Sequence, residues 1–230
     1  MVRAMKRETQ ILPRRNPVAP KRLTSLRLAE MPRDDLEDDA VIRGVRYDRT
    51  DLADREAEAV EAEQCQFDGT RLTGAILRRS QLSDAVFTSC DFASVRAQDV
   101  SLLRSAVTSS RFTGSSWDSG NFRDVVFESC RMDFVFFRHS KFRTVVFRDC
   151  NVQQADFQRA ELRDVRFENC DLTGAQFAHL DSQNLRFEGC TMIDVGGSMS
   201  LKGATVQGGG SVELAFSLAW EVGIRFGPDY

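Results

Sequence analysis

Six cysteines and two histidines are the residues of this chain that could most readily do chemistry. Five of the cysteines differ in position by multiples of twenty: Cys90, Cys130, Cys150, Cys170 and Cys190. Thiolates and imidazoles at suitable spacing bind zinc, and a thiolate can act as a nucleophile. The chain, however, contains no Cys-x-x-Cys, and neither His139 nor His179 lies beside a cysteine. We therefore expect no metal site and no cofactor, and we interpret the cysteines as reduced thiols that fill a core.

The common catalytic motifs are also missing from the sequence. There is no Walker loop, no Gly-x-Ser-x-Gly and no His-Glu-x-x-His,. The three glycines Gly208–Gly210 are not followed by Lys-Ser or Lys-Thr, so they are interpreted as a loop rather than a phosphate cradle. We therefore expect that the protein is not an enzyme.

The charge changes sign abruptly near the amino terminus. Residues 1–33 contain nine Lys/Arg and two Asp/Glu, and the acidic run Asp34–Asp39 follows. No apolar stretch there is long enough for a secretory signal or a membrane span, which predicts a cytoplasmic protein. Residues 1–39 are interpreted as a charged leader that is either disordered or docked on the rest of the chain.

From residue 40 to residue 197 the sequence repeats every five residues without losing phase. Each unit has a large apolar residue at its centre and a small or β-branched residue two positions earlier, and the other three positions are mostly polar. A period of five fits neither an amphipathic helix nor an isolated strand. It predicts a chain that turns a corner every five residues. Residues 53–63, ADREAEAVEAE, leave two interpretations open, a continuing coil or a short interrupting helix.

Four units make one coil, because the cysteine series repeats every twenty residues. A second series with the same period is broken only by Val107: Phe67, Phe87, Phe127, Phe147, Phe167 and Phe187. Stacked coils would lie about 4.8 Å apart, the usual spacing of strands, so roughly eight coils would span about 40 Å. His139 and His179 would lie two coils apart, about 10 Å, too far to share a metal.

Units such as Cys170-Asp-Leu-Thr-Gly174 and Ala155-Asp-Phe-Gln-Arg159 resemble the consensus of the pentapeptide repeat family. The resemblance implies a right-handed quadrilateral parallel β-helix. With the charged leader and the apolar C-terminal segment, we expect an all-β fold with a C-terminal α-helix and a largely irregular N-terminal leader. The departures are Arg55 with Ala57, Gly120 at an inward position, Ser182 at a central position, and Gly197. We expect the leader at 1–39, the β-helix at 40–206, and a glycine loop with a capping or dimerisation helix at 207–230.

The outward positions predict three surfaces. One face is mildly acidic and carries Asp68, Glu128, Asp149, Glu168 and Glu188. Another is expected to be net basic, and on a third the column Arg123, Arg143 and Arg163 is expected to pair with Asp124 and Asp164. A candidate partner surface consists of outward apolar residues, since exposed apolar columns usually mark contacts: Val86, Val126, Val146, Phe134 and Phe136. Either the leader or another protein could cover it, and scattered surface apolar residues are the alternative.

The C-terminal segment predicts a helix that begins at Ser211 as its N-cap and runs to about Val222. Polar residues recur every four positions as Glu213, Ser217 and Glu221, and the remaining sides are apolar,. Residues Leu218–Ile224 resemble the helix end of actinobacterial family members. Family members that bind gyrase dimerise through such a helix. This resemblance implies a homodimer with these candidate interface residues: Leu214, Phe216, Leu218, Trp220 and Val222.

Three functions remain open. The best-known members of the family mimic DNA, bind DNA gyrase and protect it from quinolones, which makes gyrase a candidate partner. A DNA mimic needs dense negative charge, but residues 40–197 contain 24 acidic and 20 basic residues, a net charge of only −4. The second function is a general protein-interaction scaffold. The third, direct nucleic-acid binding, is disfavoured by a pI of about 5.6,.

Overall fold

Each five-residue unit forms one side of a square coil in a computed structural model, which describes residues 13–21 and 25–227. The central residue and the residue two before it are buried in almost every unit, as the repeat predicts. The residue two after the centre has positive φ at every fifth position from Asp39 to Asp194. Asp, Gly and Ser are the commonest residues at this position, and Gly, Asn and Asp tolerate left-handed backbone better than most residues,. This conformation turns the chain at each corner.

The coils form a parallel β-solenoid of about nine turns, the predicted fold. Each face is named here by two of its central residues: face 1 by Phe122 and Phe142, face 2 by Phe127 and Phe147, face 3 by Met132 and Val152, and face 4 by Phe137 and Phe157. Partners in the ladder are twenty residues apart, for example Phe127 with Phe147. Face 3 is joined by isolated bridges at the same spacing.

The strands in chain order are β1 Arg27–Leu28, β2 Val41–Arg43, β3 Val45–Asp48, β4 Glu56–Glu58, β5 Glu61–Glu63, β6 Gln66–Asp68, β7 Ile76–Arg78, β8 Gln81–Ser83, β9 Val86–Thr88, β10 Arg96–Gln98, β11 Ser101–Thr108, β12 Ser116–Asp118, β13 Asn121–Glu128, β14 Lys141–Arg148, β15 Glu161–Glu168, β16 Asp181–Gln183, β17 Arg186–Glu188 and β18 Thr205–Gln207. A 3₁₀ helix spans Ser198–Leu201, and the α-helix α1 spans Gly210–Glu221. The longest strands, β11 and β13 to β15, continue through the corner between faces 1 and 2.

The core is a set of stacked rings inside the coils. On face 2, the ring centroids of Tyr47 and Phe67 lie 4.6 Å apart, and those of Phe67 and Phe87 are also 4.6 Å apart. The stack resumes beyond Val107, with Phe127 5.0 Å from Phe147. These separations match the predicted strand spacing. Neighbouring faces meet edge to face, so the interior has no room for a channel or a ligand cavity along this stretch.

Inward serines connect one coil to the next. The Ser110 hydroxyl accepts a hydrogen bond from the Cys90 N–H at 3.0 Å and donates to the Thr108 carbonyl at 2.9 Å. Ser140 does the same with the Gly120 N–H and the Trp117 carbonyl. Buried backbone groups need such partners because an unsatisfied N–H is costly. The predicted departure at Gly120 is therefore accommodated by a serine one coil later.

The interrupting helix considered for residues 53–63 is not formed. This segment continues the coil as β4 and β5, with Ala57 and Ala62 buried at the central positions. The small side chains keep the register, since β4 pairs with β7 twenty residues later. The predicted departure at Gly197 has a different consequence, because the twenty-residue register ends there. A Cβ at Gly197 would lie 2.2 Å from the Ala178 nitrogen, and after this residue β18 pairs with β17 at an offset of nineteen, Val206 opposite Phe187.

The N-terminal opening of the solenoid is closed by residues 25–39. Strand β1 adds to β3, and the backbone carbonyl of Asp34 accepts a hydrogen bond from the buried Tyr47 hydroxyl at 2.7 Å. The carboxylate of Asp34 is buried and pairs with Arg27, and this hydrogen bond holds the pKa of the carboxyl below its usual value. Leu36 packs on the core. This segment therefore covers a strand edge that would otherwise be open to pairing.

Helix α1 closes the other end. Its N-cap is Gly209, so the predicted cap at Ser211 is wrong; the Ser211 hydroxyl instead donates to the Gly208 carbonyl at 2.8 Å. The helix approaches the last coil so closely that a Cβ at Gly210 would lie 2.5 Å from the Cys190 carbonyl oxygen. Over the residues that the structure describes, no helix has both the length and the apolar character to cross a bilayer.

Candidate interaction surfaces

The cysteines that drew attention in the sequence are all free and buried. Their thiols donate to backbone carbonyls, for example Cys90 to Phe67 at 3.3 Å. Burial raises the pKa of the Cys90 thiol to about 11, which leaves little reactive thiolate at neutral pH,. Within residues 13–21 and 25–227, no three His, Cys, Asp or Glu side chains are grouped so as to hold a metal ion. The thiols are therefore part of the core, and the outer surface carries the other candidate residues.

A segment of the leader, residues 13–21, lies along the corner between faces 1 and 2, and we call it the strap. Arg14 pairs with Glu188 at 2.8 Å, and Arg15 pairs with Asp164 at 3.3 Å. Further along, backbone N–H groups of the strap donate to Asp124 and Asp84. The strap therefore runs from the last coils back towards the first. The parts of the predicted leader at 1–12 and 22–24 lie outside the described residues.

The valine column lies beneath this strap. Val146 is only 1% exposed although it occupies an outward position. Strap residues are bound on both sides of it, Val18 to Asp124 and Asn16 to Arg166. Val86 and Val126 are half-buried, and Lys21 and Leu26 line a small cavity together with Val86. Strap residues therefore flank Val146 on both sides, while Val86 and Val126 keep part of their surface exposed.

The acidic side chains of face 2 are largely paired. Arg148 binds Glu128 at 3.3 Å and Glu168 at 2.9 Å, and the guanidinium hydrogen bonds help to hold the pKa of Glu168 below its usual value against the effect of its burial. Glu188 binds the strap, and Arg46 binds Asp68 at 3.0 Å. Asp149 accepts a hydrogen bond from the Asn169 amide at 3.2 Å. The face therefore presents alternating charges rather than a continuous negative surface.

Two charge patterns expected from the sequence differ in the structure. Face 4 carries Glu56 and Glu58 as well as its arginines, and they pair with Arg78 and Arg79, so the expected net basic face is neutralised. On face 1, Arg123 pairs with Asp124 at 3.7 Å, but Asp164 binds the strap and Asn184 instead of the arginine column. The columns of arginine and aspartate are present as predicted. The predicted pairing between them is incomplete because the leader, which the prediction did not consider, binds Asp164.

Phe134 and Phe136 form an exposed aromatic pair on the corner between faces 3 and 4. They are 55% and 39% exposed and flank the buried Val135. Phe134 has φ of 57°, a conformation that is unusual for a bulky side chain,. The guanidinium of Arg138 lies 5.6 Å from the centroid of the Phe136 ring. No described residue of the leader covers this pair, in contrast to the valine column.

Helix α1 presents its polar stripe to the solenoid and its apolar side to the outside. The carboxylate of Glu213 accepts from the Met192 N–H, and that of Glu221 accepts from the Ser198 hydroxyl at 2.6 Å and the Met199 N–H at 2.8 Å. Ser217 is buried between them. These contacts satisfy backbone N–H groups at the end of the last coil, which have no further coil to bind.

The candidate dimer residues therefore fall into two groups. Leu214 is buried and Leu218 is partly buried against the core, so both belong to the end cap of the protomer. Phe216, Trp220 and Val222 are exposed, at 39%, 58% and 58%. The Phe226 ring packs 4.8 Å from that of Phe216 and 6.2 Å from that of Trp220. We call Phe216, Trp220 and Phe226 the aromatic cluster.

The residues that bind the leader were not recognised from the sequence as one site. They are Asp84, Asp124 and Asp164, which we call the aspartate column, together with Arg166. Asp84 is buried and makes two hydrogen bonds with Arg104, at 2.9 and 2.7 Å. The forty-residue spacing of the three aspartates was a usable signal, because every other coil repeats the same acid at one corner.

Several solved structures resemble the chain at low identity. A trypsin-treated variant of QnrB1, a plasmid-mediated fluoroquinolone resistance protein, is 15% identical, with 83% of this chain and 99% of that chain covered and a TM-score of 0.36. Full-length QnrB1 is 16% identical, with 82% and 99% covered and a TM-score of 0.23. HetL, a pentapeptide repeat protein involved in heterocyst differentiation regulation from the cyanobacterium Nostoc, is 14% identical, with 73% and 89% covered and a TM-score of 0.26.

Family models give the assignment. No curated protein is significantly similar to this chain. The model described as a pentapeptide repeat region matches residues 100–177 and 120–195, and the model described as pentapeptide repeats, eight copies, matches residues 65–102. Together they cover residues 65–195, more than half of the chain. The repeat, the coil geometry and these matches agree that the chain belongs to the pentapeptide repeat family.

Proposed function

We propose that this protein acts without catalysis, as a homodimeric rod that binds other proteins through its outer surface. The observation that carries the proposal is the orientation of α1. The polar side chains Glu213 and Glu221 are hydrogen-bonded to the solenoid. The large side chains exposed on the outside of the helix are aromatic and aliphatic. Large exposed apolar patches are characteristic of protein contacts. The inside of the coils is filled by stacked aromatic and aliphatic side chains.

The dimer joins two C-terminal ends. Phe216, Trp220 and Val222 supply the contact, and Leu214 with Leu218 supports it from below by holding α1 on the last coil. Ile193 and Met199 extend the exposed apolar area beside the helix. Trp and Phe commonly provide most of the energy of an interface when they become buried at its centre. Self-association covers this surface with an identical apolar surface.

Phe134 and Phe136 are the proposed contact for another protein. They lie away from both the strap and α1, so dimerisation leaves them exposed. The strain of the left-handed Phe134 backbone is an additional cost, since polar residues or glycine fill this position in most other coils,. The alternative is that they are isolated surface apolar residues, which soluble proteins commonly carry. We place the protein in the cytoplasm, and the support for this is its set of six free thiols,.

Binding to DNA gyrase as a partial DNA mimic is the narrower form of this function. Recognition of duplex DNA depends on a dense row of unneutralised phosphates. Face 2 presents Glu128 and Glu168 bridged by Arg148, and Glu188 neutralised by the strap. The strap arginines are also engaged, which disfavours direct nucleic-acid binding. The charge pattern therefore favours the broader function of a protein-interaction scaffold over DNA mimicry.

A supercoiling assay separates the two forms. With purified gyrase, the dimer is expected to leave supercoiling unchanged and to give no protection from a quinolone, because its carboxylates are matched by arginines. Inhibition of supercoiling that is lost in a Glu128→Gln, Asp149→Asn variant would contradict this expectation and establish the gyrase-binding form. A Glu56→Gln, Glu58→Gln variant on face 4 is the matched control, since it removes the same charge from a different face.

A further inference from the structure

The strap runs along the solenoid in an extended conformation, as the distance that it covers per residue indicates. The Asn184 amide donates to the Pro13 carbonyl at 3.2 Å, and the Lys21 N–H donates to Asp84 at 3.0 Å. Asn184 and Asp84 are 100 residues apart, or five coils of twenty, which spans about 24 Å at the usual strand spacing. Eight residue steps of a polyproline II helix cover about 25 Å. With prolines at 13, 17 and 20, the strap fits this conformation.

The contacts of the strap recur every three residues. The Arg15 guanidinium binds Asp164, the Val18 N–H donates to Asp124 at 3.3 Å, and the Lys21 N–H donates to Asp84. The three aspartates are each forty residues, or two coils, apart. Two coils advance about 9.6 Å, and one three-residue turn of polyproline II advances about 9.3 Å. The aspartate column and the strap therefore share one period.

The surface that the strap covers, which we call the groove, is made of the aspartate column, the valine column and Arg166, and its chemistry changes along its length. The buried Val146 and the half-buried Val126 lie in the coils from Arg166, which binds Asn16, to Asp124, which binds Val18, so the middle of the strap meets apolar side chains. At the other end, the buried Arg166 donates to the Arg15 carbonyl and, at 3.1 Å, to the Asn16 side chain. Glu188 binds Arg14 there. The groove thus has a charged end and an apolar middle that match Arg-Arg-Asn and Pro-Val-Ala-Pro in order.

We propose that this groove is a recognition site for extended, proline-bracketed protein segments that begin with arginine, and that the strap is its intramolecular occupant, which a partner must displace. Backbone hydrogen bonds to Asp124 and Asp84 set the three-residue register, and the charged end sets the direction. This inference does not depend on α1, because the groove lies on a different part of the rod. Its test is therefore independent of the dimer.

The test uses the full chain with a site-specific protease site inserted between Lys21 and Ser25. A fluorescent peptide with the sequence of residues 13–21 is titrated into cut and uncut protein, and its anisotropy is measured. The peptide is expected to bind the cut protein and exchange with the released strap. It should bind the uncut protein at least about tenfold more weakly, because a tethered occupant has an effective concentration on the order of millimolar.

Register provides the sharpest control. A peptide with one alanine inserted between Asn16 and Pro17 keeps every side chain of the strap but shifts Arg15 against Val18 by one residue. It should bind at least about tenfold more weakly. It can keep either the contact of Arg15 with Asp164 or those of Val18 and Lys21 with Asp124 and Asp84, but not both,. Equal binding of the two peptides, or no binding of either to the cut protein, would overturn the proposal.

A second measurement keeps the chain intact. In the uncut protein, amide hydrogen exchange at Val18 and Lys21 should be slow, because both N–H groups are bound to carboxylates. An Asp124→Ala variant should accelerate exchange at Val18 by about tenfold or more. Asp149→Ala removes a carboxylate that binds Asn169 and not the strap, so it should leave the exchange unchanged. Fast exchange at both amides in the unsubstituted protein would contradict the docked strap.

Discussion

Replacing Phe216 and Trp220 with aspartate is expected to convert the homodimer into a monomer. Both side chains are exposed in the protomer and would be buried in the dimer, where a carboxylate without a partner is costly,. Loss of one central aromatic anchor commonly costs about 2 kcal/mol or more, which is roughly a thirtyfold loss of affinity. Two such losses together correspond to a loss of affinity on the order of a thousandfold. Light scattering after gel filtration gives the mass directly.

Phe134→Asp is the matched control for this variant, because Phe134 is about as exposed as Trp220 but lies on the side of the rod. It should remain a dimer. Thermal unfolding of the protomer should change little in the double variant, since Phe216 and Trp220 are exposed and the buried Leu214 holds α1 on the last coil. A dimer that persists in the double variant would show that the aromatic cluster is not the interface. Leu214→Asp is not a suitable test, since Leu214 holds α1 on the last coil.

Replacing Phe147 with alanine is expected to lower the free energy of unfolding by about 3–5 kcal/mol. Its ring is fully buried, stacked 5.0 Å from Phe127 and 4.7 Å from Phe167, and it meets Phe157 edge to face. Because each coil contacts only its neighbours, a cavity at one coil weakens the contacts on both sides. Urea unfolding followed by circular dichroism would measure the change.

The control for the core substitution is Phe134→Ala. Phe134 contributes little buried area and has a left-handed backbone, so its replacement should change the free energy of unfolding by no more than about 0.5 kcal/mol,. Equal destabilisation by the two substitutions would contradict the stacked core. It would mean that Phe147 does not occupy the interior column that its position in the repeat predicts.

The parts of the structure set by the repeat could be predicted from the sequence. Every inward position is fixed by the same local geometry, so the spacing of Cys150, Cys170 and Cys190 was enough to give the coil length. The phenylalanine series gave the stack and its interruption at Val107. Such predictions succeed because the information is local and repeated, and each unit confirms the one before it.

The non-repeating parts could not be predicted in the same way. The strap contacts join residues more than 60 positions apart, and two of them use the backbone N–H groups of Val18 and Lys21, so only the spacing of the aspartate acceptors is visible in the sequence. The orientation of α1 was also not evident, because Glu213 and Glu221 have the pattern of a solvent-facing stripe. They turn inwards because the last coil has unpaired N–H groups that need acceptors,. In both cases the contact is made by groups of the solenoid whose hydrogen-bonding capacity the repeat itself does not fill.

The central claim is that two rods join end to end through their C-terminal helices, and small-angle X-ray scattering tests it most directly. About nine turns at the usual spacing plus one helix layer give a protomer length of about 55 Å, so an end-to-end dimer has a maximum dimension on the order of 100 Å,. We predict a dimeric mass with that length. A monomeric mass, or a dimer only about 60 Å long from rods lying side by side, would contradict the account.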